Sequence, residues 1–93
     1  MDDERRIAIT VSPGCEQVLA LDEQTFYPSR TLVRRTRRGV TYELSVNDAR
    51  LMLDDLEQRS TAEGGYDQPI GWYGIAKANA RRLRAALHDQ EVV

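Results

Sequence analysis

Hydrophobic and polar positions change period near Ser45. Before it, Ile7, Ile9 and Val11 alternate with Arg6, Ala8 and Thr10, the pattern of a strand with one apolar and one wet face over Arg5–Val11. Val40, Tyr42 and Leu44 alternate with Thr41, Glu43 and Ser45, which predicts a second such strand over Val40–Leu44. Thr31 to Thr36 reads as its hairpin partner, joined through Arg37-Arg38-Gly39 with Gly39 in the left-handed position of a three-residue loop. Ser12-Pro13-Gly14 turns the chain after the first strand. The nearly continuous apolar run Gln17–Asp22 (Val18, Leu19, Ala20, Leu21) is ambiguous in period, and its shortness between two turn signals predicts a fourth strand. Phe26-Tyr27-Pro28 interrupts the polar loop that follows, with Phe26 expected to plug the sheet edge.

After Ser45 the period is that of a helix. Ser45-Val46-Asn47-Asp48 fits a capping box with Ser45 as N-cap, and Leu44 with Ala49 forms a small staple. Ala49, Met52, Leu53 and Leu56 recur at i, i+3, i+4 and i+7 as one core-facing stripe, with Leu51 off it. Asp55 and Arg59 form an i, i+4 pair. Ser60–Gln68, with Gly64-Gly65, reads as a linker. Beyond Pro69, a second helical pattern carries Ile70, Tyr73, Ile75, Ala76, Ala80, Leu83, Ala86 and Leu87, its first turn weakened by Gly71 and Gly74. Strands first and helices after predict an α+β fold. The expectation is a four-stranded, mainly antiparallel sheet in the N-terminal half, covered on one face by two C-terminal helices, in a single domain spanning 1–93.

Composition narrows the class. A chain of 93 residues, 41% hydrophobic and 30% charged, is neither disordered nor membrane-spanning in character. A domain of this size buries roughly 64% of the surface its unfolded chain exposes, enough for one modest core. The acidic opening Met1-Asp2-Asp3-Glu4 lacks the basic and apolar regions of a secretory signal, so a cytoplasmic location is expected. One cysteine, Cys15, and one histidine, His88, allow neither an internal disulfide nor a Cys/His zinc site. No cofactor motif is present, and no metal or cofactor is expected. Asp54 and Asp55 are adjacent, so on a helix they diverge by about 100° and cannot act as a carboxylate dyad. With no phosphate loop and no activated nucleophile, the chain does not read as an enzyme.

The net charge of −2 hides segregation. Arg30, Arg34, Arg35, Arg37 and Arg38 fall within nine residues that contain no acid, whereas the first helix carries Asp48, Asp54, Asp55 and Glu57. This distribution bears on partners rather than fold. The hairpin residues Arg34, Arg35, Arg37 and Arg38 suit an acidic protein surface. The alternative is nucleic acid, gripped by these arginines with Tyr42 stacking on a base; an ordinary polar face, with an arginine lying over Tyr42, is the plainest account. Tyr66, Trp72 and Tyr73 make an aromatic cluster of the type that anchors protein interfaces, although the single Trp of a small domain is commonly a core plug. Gly71-Trp72-Tyr73-Gly74 spells the G-x-x-G of a KH-type RNA clamp without its basic residues, a weak match. A secondary basic stripe, Lys77, Arg81, Arg84 and His88, shares one side of the second helix, either solvated or paired with Asp54, Asp55 and Glu57. Together these features favour a non-catalytic protein-binding module, a small regulator or inhibitor that occupies an acidic surface of a larger protein. Leu51 and an edge strand also offer surfaces for a homodimer.

Overall fold

The computed structural model describes residues 5–19, 21, 27–61 and 68–91. Its elements follow the order β1 (Arg6–Val11), α1 (Cys15–Val18), β2 (Thr31–Arg35), β3 (Val40–Ser45), α2 (Val46–Arg59) and α3 (Ile70–Glu91). The sheet among these residues has three antiparallel strands in the order β1-β3-β2. β3 is central, with Ile7 opposite Leu44, Ile9 opposite Tyr42 and Val11 opposite Val40. All six of these residues are buried, and they share one core with Ala49, Met52 and Leu56 of α2 and with Ala76, Ala80, Leu83 and Leu87 of α3. Each large aliphatic buried in this way contributes about 1.5 to 3 kcal/mol.

The expected strand at Gln17–Asp22 is not formed over its described part. Cys15 to Val18 makes one helical turn instead. Its backbone bonds are local, from Cys15 N–H to Ser12 O (3.0 Å), from Gln17 N–H to Gly14 O (3.1 Å) and from Leu19 N–H to Cys15 O (3.0 Å). Pro13-Gly14 turns the chain straight into this helix, and the spacing of Cys15, Val18 and Leu19 then puts all three into the core. A short apolar run carries no period strong enough to tell these outcomes apart. Ala20 and Asp22, Phe26 with its expected edge plug, and most of the Ser60–Gln68 linker lie outside the described residues.

The helix entry follows the sequence closely. The Ser45 hydroxyl accepts from Asp48 N–H at 3.1 Å, satisfying one of the free donors of the first turn. Ser29, far upstream, completes the network: its N–H and hydroxyl donate to Asp48 Oδ2 at 3.0 and 2.5 Å, and Ser45 N–H donates to Ser29 Oγ at 2.9 Å. Nearby, Tyr27 adopts φ 52, the one positive φ among described non-glycine residues, and its hydroxyl donates to Asp55 Oδ2 at 2.8 Å. Asp55 also accepts from Arg59 at 2.9 Å. The segment entering β2 is thus pinned to α2 at two points.

Gly39 departs from the expected hairpin geometry, because its φ does not fall in the left-handed region. Close approach requires the glycine instead: a Cβ there would lie 3.0 Å from Val11 O and 3.0 Å from Thr10 Cγ2. The turn is closed by Thr36, whose N–H donates to Gly39 O at 2.9 Å and whose Oγ1 accepts from the N–H groups of Arg38 and Gly39. α3 is helical from Ile70 on, with Gly71 and Gly74 inside it. Ile70 stands 86% exposed and so takes no part in the core stripe. Among the described residues no helix is long and apolar enough to cross a membrane.

Candidate protein-binding surface at the open sheet edge

A three-stranded sheet has two outer edges, and unpaired N–H and C=O groups on either can pair with another chain. In β1 these groups belong to alternate residues, because Arg5 O faces inward and accepts from Val46 N–H. Ala8 therefore faces outward, where α3 meets it: Gln90 Nε2 donates to Ala8 O at 2.7 Å and Gln90 Oε1 accepts from Ala8 N–H at 3.1 Å. The side-chain amide thus imitates one step of a strand ladder. Beyond the strand end, buried Asn79 accepts from Ser12 N–H and donates to Ser12 Oγ and Ile75 O, each at 2.8 Å.

The β2 edge is treated differently. All five of its residues are exposed, and its outer side has no hydrogen-bond partner among the described residues. Leu32 and Val33 are 47% and 59% exposed. The pairing with β3 slips between Leu32 and Arg34, so Val33 is the extra residue of a bulge, a device common on edges. The strand is held by its neighbours rather than by the core. On one face Arg6 reaches across β3, donating to Glu43 O (2.9 Å), Glu43 Oε1 (3.3 Å) and Thr31 Oγ1 (3.2 Å). On the other, Glu16 of α1 accepts from Arg35 at 2.5 Å and from the Tyr42 hydroxyl at 2.7 Å.

The hairpin residues singled out from sequence therefore divide. Arg34, Arg37 and Arg38 are exposed, and their side chains have no ion-pair partner among the described residues. Arg35, by contrast, is committed to Glu16. Tyr42 is corrected: it is buried in the core, not laid out on the hairpin surface, because its position in β3 alternates with exposed Glu43. Burial and the Glu16 contact push its phenol up to about 12. For Glu16, burial raises the carboxyl, but the hydrogen bonds from Arg35 and Tyr42 outweigh it and hold the group below its ordinary 4.5.

The aromatic cluster is described only in part. Trp72 and Tyr73 are partly exposed, with Trp72 packed against the core, and Tyr66 lies outside the described residues. Gly71-Trp72-Tyr73-Gly74 is helix, not a loop between helices. Lys77, Arg81, Arg84 and His88 are all exposed along α3, and Arg84 pairs with Glu57 of α2. Cys15 is fully buried, and desolvation with nearby Glu16 and Asp55 pushes its thiol up to about 12, far from the range of a reactive cysteine. Among the described residues no three His, Cys, Asp or Glu side chains group as a metal site would need.

Sequence reasoning missed the ladder-mimicking Gln90 and the anchoring Glu16. Asn79 left one local trace, a polar residue three positions after Ala76 on a stripe otherwise filled by Ala80, Leu83 and Leu87. No family model, curated protein or solved structure matches this chain.

Proposed function

We propose that the chain is a non-catalytic protein-binding module, a small regulator or inhibitor that receives an extended acidic segment of a larger protein along β2. The observation that carries this reading is the asymmetry of the two edges. Ala8 of β1 is occupied by Gln90, while the outer edge of β2, beside exposed Leu32 and Val33, has no hydrogen-bond partner among the described residues. An added strand gains main-chain hydrogen bonds from such an edge, and side-chain contacts select it. Arg34, Arg37 and Arg38 supply the selection, favouring acidic residues and accelerating encounter. The same charges disfavour self-pairing, because a β2-to-β2 homodimer sets two arginine-rich edges side by side.

Nucleic acid is the weaker reading, since the buried Tyr42 offers no stacking surface. The deciding experiment recovers partners from the native host by cross-linking to the full chain, purifies them, and compares their affinity for the parent and for an Arg37→Glu, Arg38→Glu double variant. A loss of at least tenfold supports the reading; equal affinity refutes it. A parallel titration with DNA and RNA should show no binding at low salt, whereas affinity falling by ~10³ between about 50 and 200 mM salt would favour nucleic acid.

A further inference from the structure

On the sheet face opposite Tyr42, at the hairpin end, Thr10, Arg34, Thr36, Arg38, Gly39 and Thr41 line an open depression of about 260 Å³. We infer that this depression binds a phosphomonoester group. Its volume is below the roughly 300 to 1,000 Å³ of sites that hold drug-sized ligands, so it suits one functional group rather than a whole cofactor. Its lining contains two guanidinium groups and no carboxylate. Glu43 is held by Arg6 and Glu16 by Arg35, so neither neutralises Arg34 or Arg38. Two cations with no ion-pair partner among the described residues match the charge of about −1.5 to −2 on a phosphomonoester at neutral pH, and the guanidinium fork matches phosphate oxygens in geometry. A single carboxylate would leave one of the two charges uncompensated.

The hydroxyls complete the donor set. Thr10 Oγ1 and Thr41 Oγ1 lie 2.9 Å apart; one donates to the other, and the accepting hydroxyl keeps its own hydrogen to offer outward. Thr36 has a different task, because its Oγ1 accepts from Arg38 N–H and Gly39 N–H and also lies 3.2 Å from Gly39 O. It fixes the backbone from which Arg38 projects. Strand addition at β2 is not required for this site: an added strand would report at Leu32 and Val33, whereas phosphate reports at Thr10 and Thr41.

The test is an amide NMR titration of the full chain with inorganic phosphate, N-acetylphosphoserine amide, sulfate and dimethyl phosphate at about pH 7.5. Saturable shifts at Thr10, Arg38, Gly39 and Thr41 are expected with phosphate, sulfate or the phosphoserine compound, with dimethyl phosphate at least tenfold weaker. Binding of the phosphoserine compound should weaken at about pH 5, as its dianion protonates through its pKa near 6, while sulfate binding should not. Arg34→Gln and Arg38→Gln should each weaken binding tenfold or more, and Arg82→Gln, an equal charge change at an exposed site on α3, should leave it unchanged. Saturation by inorganic phosphate without the phosphoserine compound would overturn the phosphomonoester assignment; saturation by both supports it. Absence of saturable shifts, equal affinity for dimethyl phosphate, or an equal effect of Arg82→Gln would overturn the inference.

Discussion

β1 and β2 flank the same central strand, yet they meet solvent in opposite ways. β1 alternates buried and exposed residues along its whole length, whereas β2 is exposed throughout. Polar side chains from α3 meet β1 at Ala8 and the chain just beyond it at Ser12, so its outer side is tied to the body of the protein. β2 keeps its edge and relies on a bulge and on positive charge, two of the devices by which natural sheets discourage indiscriminate pairing. A bulge and arginines deter a second neutral or basic strand but attract an acidic one. The comparison thus separates an edge tied to α3 at Ala8 from an edge guarded by a bulge and positive charge.

The largest expected effect lies at the closed end. Asn79→Ala removes a buried amide that serves Ser12 N–H and Ser12 Oγ, leaving a desolvated donor and a small cavity. A loss of about 2 to 4 kcal/mol is expected, read from the urea midpoint. A loss under about 0.5 kcal/mol would mean that α3 does not brace this end of the sheet. Gln90→Ala, at an exposed position, should cost about 1 kcal/mol. Its sharper signature is local: hydrogen exchange at the Ala8 amide should accelerate towards the rates of outward-facing β2 amides. Unchanged exchange at Ala8 would remove the distinction between the edges.

What the sequence made legible follows the range of the forces involved. β1, β3, the Ser45 cap, the α2 stripe and the Asp55–Arg59 pair are set by neighbours within a few residues, and each has the expected place. The expected strand at Gln17–Asp22 is replaced, over its described part, by the end of the Cys15–Val18 turn, because a single helical turn and a short strand both bury closely spaced apolar residues. Gly39 sits in the turn that the sequence predicts, but the need for a glycine comes from Val11 and Thr10 on another strand and not from a left-handed φ. The closing contact joins residues 82 positions apart, and the Glu16–Tyr42 contact spans 26. Polar pairs at such separations leave no periodic trace. The arginine segment was visible from charge alone, but which of its members is already paired was decided by the fold.

The anchor that holds the open edge in place should be sensitive to acid. Glu16 has a folded-state pKa below its ordinary 4.5, so its contribution is present above that value and is lost as pH falls through the lower folded value. Glu16→Gln should therefore destabilise the protein by up to about 1 kcal/mol near neutral pH, as expected for a partly exposed ion pair. The difference between variant and parent should shrink steadily as the medium is acidified below 4.5. A difference that stays constant across that range would show that the charge of Glu16 does not hold Arg35.

The smallest expected effect on stability is paired with the largest on binding. Arg37 and Arg38 stand at the exposed hairpin turn with no ion-pair partner among the described residues, so Arg37→Glu with Arg38→Glu should move the melting free energy by no more than about 0.5 kcal/mol. The backbone of the turn does not depend on their side chains, because Thr36 supplies its hydrogen bonds. Yet the change replaces two positive charges by two negative ones at the end of the open edge, and an acidic partner should then associate more slowly and more weakly, with a smaller dependence on salt. Light scattering on the parent should give the mass of one chain, 10.6 kDa, because the same arginines oppose self-pairing. If the double variant dimerised while the parent did not, charge would be confirmed as the filter on β2. A parent already dimeric through β2 would mean that the exposed Leu32 and Val33 outweigh it.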